Sequence, residues 1–554
     1  MIGIISFVGF TLLVAVISYL ATRSTNESSS DGYFLGGRSL TAGVIAGSLL
    51  LTNLSTEQIV GLNGSAFTEG ILVMAWETLA AIAMVVTAVF LLPRYLKSGL
   101  TTVPQFLQER FDVTTKTMTS VLFLTGYVVV LLPTILYSGS LAISGMFDIP
   151  NMLGVSHKAA LWICIWGIGI IGSIYAVFGG LKAVAVSDSI NAIGLLIGGL
   201  LIPVFGLLIV GDGNVFDGVA ILQRQIPEKF DAIGNKSASV PFSTIFTGMM
   251  LVQLFYWGTN QQIIQRALGA KNLKEGQKGL LLASFIKILG PLIVVLPGVI
   301  AFYICDNGLL PLDIGKQDEA YGELVRNILP KELIGFFVAV LFGAILSSFN
   351  SVLNSSVTLF GVDIYKQHIN KSANEVTVVK YGKIFGVILA FAAMCIAPLF
   401  QNLESIFDYL QQVNGIYSIP ILTIIFVGFT TKRVPALAAK IGLLSGSILY
   451  IISEFILRPK FEKGALEIAK LNEITDKASL DVIAAGAYPH FLHIMALLFI
   501  FNVLIMLIIG YARPLKVSYN QKFTKLVDIT PWRYTKQVGI LICIIVISIY
   551  IYFS

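Results

Sequence analysis

The chain has 554 residues, of which 56% are apolar and only 12% charged, with a net charge of +6 and a mean hydropathy of +0.84. A soluble globular chain carries about 25% charged residues, so a water-facing surface for this length is excluded, and the unbroken apolar runs exclude an alternating outer-membrane barrel. The basic excess does not point to nucleic acid, because Lys and Arg sit in short loops between apolar runs.

A helix needs about 20 apolar residues to cross a bilayer, and that ruler predicts fourteen spans. The first, 2–20, has no basic n-region and no small-residue cleavage site before Ser24, so it reads as a retained helix rather than a cleaved leader. Spans follow near 40–67, 70–93, 117–147, 159–178, 187–211, 241–265 and 279–304, then 333–363, 384–401, 405–429, 437–457, 488–511 and 538–553. With the N-terminus outside, inner loops hold 24 Lys and Arg residues against 12 in outer loops. That bias predicts a multi-pass protein of the cell membrane with both termini extracytoplasmic. Loops 212–240, 305–332 and 457–487 are shorter than a catalytic domain of ~100–200 residues, which leaves function among the helices. Cys164, Cys305, Cys395 and Cys543 lie far apart without metal-ligand spacing and read as small buried apolar residues.

Polar groups inside a span are costly and mark a water-filled path or a paired contact. The second span carries Asn53-Leu54-Ser55-Thr56-Glu57-Gln58 between glycines, the pattern of a helix broken where its carbonyls line a cavity. Polar packing on other helices is the alternative. Glu77 follows Trp76 in the third span. The seventh span is interrupted in the same way, from Gln253 through Tyr256, Trp257 and Asn260 to Gln262. Two interrupted spans separated by four others suggest equivalent positions in two inverted repeats, with a binding site at their interface. Lys287 lies roughly 12 Å into its span at 1.5 Å per residue, too deep for easy snorkelling. Carboxylate, ammonium, amide and aromatic groups together suit a pyranose, while a Glu77–Lys287 ion pair between helices is the plainer alternative. Ser347 and Ser348 in the ninth span offer hydroxyls suited to a hard monovalent cation, though serines also pack helices tightly.

These motifs resemble the sodium:solute symporter family, most closely its bacterial sodium–galactose/glucose branch. The likeness runs from Tyr33-Phe34-Leu35-Gly36-Gly37-Arg38-Ser39-Leu40 to about Phe429. It includes Asn53–Gln58, the signature Tyr175–Ala183, Asn260-Gln261 through Gln265-Arg266, and Ser347-Ser348 through Asn354-Ser355. The resemblance implies an all-α membrane protein with two inverted five-helix repeats (LeuT-like), one helix before them and three after. The corresponding units are residues 1–39, 40–211, 240–429 and 430–554. It also implies solute hydrogen bonds from Gln58, Glu77, Gln253, Lys287 and Gln411. Tyr256 and Trp257 would close the inner side, and Leu62, Tyr137 and Phe407 the outer. Co-transported sodium would bind carbonyls of Leu51, Leu54 and Ala344 and hydroxyls of Ser347 and Ser348, with Asp188 near its inward exit. Trp76 stands where the family has a tyrosine, Ala80 where it has a serine, and Gln253 where it has a shorter asparagine, so the exact sugar is left open.

The expected function is sodium-coupled import of a monosaccharide, glucose- or galactose-like. Alternatives are the same machinery with a sugar acid, polyol or amino acid, or a solute sensor. An enzyme is disfavoured: His157, His368, His490 and His493 lie apart from the polar clusters, and no nucleophile–base pair or metal site is legible.

Overall fold

The computed structural model describes residues 2–22, 29–178, 181–403 and 405–554. Gly179 and Gly180 of the Tyr175–Ala183 signature lie outside the described residues. Every regular element described is helical. A lone bridge pairs Leu40 with Ala270, and no strand occurs among the described residues.

The elements that position the site are, in chain order, α1 (Ile2–Thr22), α2 (Ala42–Asn53), α3 (Thr56–Glu69), α4 (Ala75–Val86), α5 (Leu132–Phe147) and α6 (His157–Phe178). They continue as α7 (Leu181–Val210), α8 (Met250–Gly258), α9 (Gln261–Leu268), α10 (Leu273–Lys287) and α11 (Leu296–Asp306). After these come α12 (Lys331–Thr358), α13 (Glu375–Ile396), α14 (Ile406–Thr430), α15 (Ala436–Ile451), α16 (Phe491–Ala512) and α17 (Thr535–Tyr552). Among the described residues ten helical runs are long and apolar enough to cross a bilayer, or eleven when α10 and Gly290–Asp306, bent by 49°, are one span. The run Thr56–Ser98 has 43 residues, about 65 Å if straight, which is twice a ~30 Å hydrocarbon core. Gly70, at φ 82, turns the chain within it.

The outer helices are apolar on the faces they leave uncovered, as in α13 (Ile388, Phe391) and α16 (Leu497, Ile508). Water would penalise that surface, and hydrocarbon does not, because the helix satisfies its own backbone groups. Inside, α2 packs against α7 and α10, while α12 packs against α1 and α7. The end of α2 is therefore held in protein, where an interrupted backbone is tolerated.

Both interruptions read from the sequence are present. Between α2 and α3, Leu54 (ψ 56) and Ser55 (φ −84, ψ 173) leave the helical region. Between α8 and α9 the same happens at Thr259 and Asn260 (φ −69, ψ 121). Asn260 caps α9: its side chain accepts from the Gln262 N–H at 3.1 Å and from the Tyr127 hydroxyl at 2.6 Å. The bend after Lys287 is a third discontinuity that the span reading did not anticipate. It falls at Ile288–Leu289, just before Gly290-Pro291 opens the next segment, where the proline has no N–H to donate to the preceding turn.

Three segments read as hydrophilic loops contain helices of their own: Val215–Gln225 in the first, Ala320–Ile328 in the second, and Arg458–Leu471 with Lys477–Gly486 in the third. Of the cysteines only Cys164 is buried. Cys305 and Cys395 are exposed, the latter within α13.

Candidate solute and cation sites

A cavity opens between the two helix breaks. Asn53, Glu57 and Gln58 reach it from the α2–α3 break, Gln253, Tyr256 and Asn260 from α8 and its end, Trp76 from α4, and Gln411, Asn414 and Tyr417 from α14. The break explains the first group. A continuous helix would point Asn53 and Glu57 along one flank, while the turn at Leu54–Ser55 aims the last residue of one segment and the first turn of the next into the same space. Close approach on the far side holds α3 in place. A Cβ on Gly61 would sit 2.5 Å from that of Phe407, and one on Gly64 would sit 2.8 Å from the Gln317 carbonyl.

The wall is amide-rich and partly pre-organised. Gln253 donates to the Trp76 carbonyl at 2.8 Å, tying α8 to α4, and the Tyr417 hydroxyl donates to the Asn414 side chain at 2.6 Å. The Trp76 ring meets Phe407 edge-on at 5.3 Å, so Phe407 packs behind a wall residue rather than against the cavity. Several buried acceptors have no partner: Asn53 Oδ1, Glu57 Oε2 and Gln58 Oε1. A buried polar atom left unpaired costs about 1–3 kcal/mol, so this edge is built to receive donors.

The structure gathers Gln58, Gln253, Gln411 and Tyr256 of the expected solute contacts and gates. It sets Glu77 and Lys287 apart. Lys287 Nζ donates to Glu77, both side chains are at most 1% exposed, and neither lines the cavity. An ammonium at that depth must find a counter-charge, and Glu77, one residue past Trp76, is within reach. Lys287 Nζ also lies 5.9 Å from the centre of the Trp257 ring. Trp257 is fully buried and, with Leu62, Tyr137 and Phe407, is not part of the cavity wall.

A second cluster of oxygens lies where the end of α2 meets α12. The Ser348 hydroxyl donates to the Thr52 carbonyl at 3.2 Å, and Thr52 Oγ1 lies 3.5 Å from Ser347 Oγ and 3.2 Å from Ser351 Oγ. The last carbonyls of a helix have no partner in the next turn, which leaves those of Leu51 and Leu54 for other use. Leu51, Leu54 and Ala344 are all buried. The hydroxyls of Ser347, Ser348 and Thr52, together with these carbonyls, form an oxygen set suited to a hard monovalent cation, and the nearby Arg266 has Asp188 as its counter-charge. Below it, Asp188 accepts from the Ser48 hydroxyl at 2.6 Å and faces Arg266 at 3.7 Å. Arg266 also donates to Ser48 at 2.8 Å, to the Gln262 carbonyl and to Ser351. One guanidinium thus joins α2, α7, α9 and α12.

Several of these groups escaped the sequence reading. Thr52, Asn414 and Tyr417 gave no local signal. Glu57 and Arg266 lie inside the motifs Asn53–Gln58 and Asn260–Arg266, where residue type alone does not single them out. Gln265, in the same motif, is a structural tie: its side chain donates to the Phe34 carbonyl at 2.8 Å and to Asn354 at 3.2 Å, and accepts from Ser355 at 3.0 Å.

A buried amide-lined cavity between two broken helices, with an oxygen cluster beside one break, defines a membrane carrier for a small polar solute. The profile of the sodium:solute symporter family matches residues 33–446, and the chain belongs to that family. It is 44% identical to "Uncharacterized symporter YidK" of Escherichia coli (strain K12), over 99% of this chain and 90% of that one. It is 31% identical to "Sodium/glucose cotransporter" of Vibrio parahaemolyticus, over 81% of this chain and 84% of that one. In fold it is similar to a Na+-coupled sialic acid symporter solved in a substrate-bound outward-open state, with TM-score 0.69 at 19% identity over 91% of this chain and 98% of that one. The protein is accordingly a multi-pass, sodium-coupled symporter and not an enzyme.

Proposed function

We propose that the protein carries a monosaccharide, glucose- or galactose-like, into the cell together with sodium. The observation that supports this most is the joint placement of the Gln58, Gln253 and Gln411 amides with the Trp76 and Tyr256 rings on one cavity wall. Amides hydrogen-bond the hydroxyl edges of a pyranose, and aromatic rings cover its apolar face. The name of the Vibrio relative supports the same solute class.

In this reading sodium binds Ser347, Ser348 and the carbonyls of Leu51, Leu54 and Ala344, and orders the α2–α3 break so that solute affinity rises. Asp188 stands on the ion's way to the cytoplasm. Tyr256 and Trp257 shut the inner side, and Leu62, Tyr137 and Phe407 the outer, through Phe407 on Trp76. Glu77 and Lys287 act on the solute through the position of Trp76 and the α10 bend. The proposed architecture is fourteen crossings. Two inverted five-helix repeats span 40–211 and 240–429, after a leading unit 1–39 and before peripheral helices in 430–554, with both termini outside. Of the other solutes, a sugar acid finds its expected counter-charge already engaged, since Lys287 is paired with Glu77. A polyol keeps all the amide contacts. Counterflow into proteoliposomes with a panel of labelled hexoses, polyols and sugar acids, with and without sodium, tests the reading. Sodium-dependent exchange of a hexose is expected, and a panel in which no hexose exchanges overturns it.

A further inference from the structure

The charges around the cavity do not balance. Lys287 is neutralised by Glu77, and Arg266 faces Asp188 across a layer of hydroxyls. Glu57 alone brings a carboxyl to the cavity wall without a cationic side chain paired to it among the described residues. It is 6% exposed, and its Oε2 has no hydrogen-bond partner. The neighbouring unpartnered atoms, Asn53 Oδ1 and Gln58 Oε1, are acceptors too. This side of the cavity therefore offers a carboxyl and two unpartnered amide oxygens, and the donors around it are neutral amide and hydroxyl groups with no cationic side chain among them.

We propose that Glu57 is a specificity-determining residue that contacts the solute directly and sets its charge: the site takes solutes presenting hydrogen-bond donors to α3, favours a protonated amino group there, and rejects carboxylates. This rests on the sugar reading above and narrows it. In a buried, low-dielectric wall a carboxylate attracts a cation and repels an anion far more strongly than it would in water. An amine seated on Glu57 thus gains over the hydroxyl it replaces, and a carboxylate at the same place meets repulsion of similar size. Gln58, one position on, is the solute contact that the family resemblance implies. The unpartnered Oε2 of Glu57 comes from the geometry of the break alone.

The test uses the purified full-length protein in detergent with sodium at pH 7. Binding of D-galactose, D-galactosamine and D-galacturonate is measured by the shift each gives to the melting transition across a concentration series. The galacturonate dissociation constant is expected to exceed that of galactosamine by at least about a hundredfold. Glu57→Gln, which keeps the shape, is expected to shrink that ratio tenfold or more. Glu57→Asp retains the carboxylate, is expected to keep the order of preference at lower overall affinity, and serves where the glutamine variant does not fold. Binding of the neutral sugar with the amine-to-acid ratio unaltered in Glu57→Gln would overturn the role of Glu57 while leaving the sugar reading intact. A wild-type protein that responds to none of the three overturns both.

Discussion

Glu77 and Lys287 show what a single buried charge demands. Removing one member of a fully buried ion pair costs about 3–5 kcal/mol, because the survivor keeps its desolvation penalty without its partner. Lys287→Met alone is expected to lower the melting temperature and the yield of monodisperse protein sharply, and Glu77→Gln in the same chain is expected to recover most of both. Independent, additive losses in that double-mutant cycle would show that the two residues serve separate roles. Ser348 obeys different arithmetic, because its hydroxyl is neutral and small. Ser348→Ala removes one oxygen from the cluster at the end of α2 and is expected to abolish sodium-driven uptake while the protein remains folded. Solute uptake by Ser348→Ala with unaltered sodium dependence would displace the cation from this cluster.

At the scale of elements, the loop before Ala320–Ile328 latches onto two of them. Asp318 Oδ2 accepts from the Ile406 N–H at 3.0 Å at the start of α14, while its Oδ1 has no partner and lies where a Cβ on Gly64 of α3 would come within 3.1 Å. Burial raises the Asp318 carboxyl from 3.8 to about 7, against the lowering effect of the Ile406 N–H. The docked loop therefore holds a proton between about pH 4 and 7 that an undocked loop releases, so docking is strongest in acid and weakens as the pH rises through 7. Hydrogen-exchange protection at Ile406–Leu410, corrected for intrinsic rates, is expected to fall about tenfold between pH 5.5 and 8, and Asp318→Asn is expected to flatten that profile. What could be read in advance divides along the same line. The breaks at Leu54–Ser55 and Thr259–Asn260 were legible because polar residues at mid-span are a local signal, and the pairing of Glu77 with Lys287 was legible as one of two choices. The bend at Ile288–Leu289 was not, because the residues of the break are themselves apolar. Nor was the latch: Asp318 lies in a polar loop where any carboxylate looks solvated, and only the approach of Gly64 and Ile406 buries it.

At the scale of the whole molecule, the two proposed sites share one element. The end of α2 gives Thr52 to the oxygen cluster and Asn53, one residue on, to the cavity wall. Ordering that single break by either ligand lowers the cost of binding the other, which requires neither site to touch the other's ligand. Linkage then fixes a symmetrical result: whatever factor sodium adds to solute affinity, the solute must add to sodium affinity. Couplings of this kind are typically 1–3 kcal/mol, or about 5–150-fold. Equilibrium binding of the transported sugar in saturating sodium and in choline, set against sodium binding with and without that sugar, is expected to give two equal ratios in that range. A change that stiffens the break without touching either ligand separates this mechanism from direct contact. Ser55→Pro, at a position already extended with φ −84 and ψ 173, is expected to raise both affinities while shrinking the coupling ratio, because part of the ordering is then already in place. An unchanged ratio in a folded Ser55→Pro protein would mean that the coupling runs through another element, the Arg266–Asp188 junction of α2, α7, α9 and α12 being the next to examine.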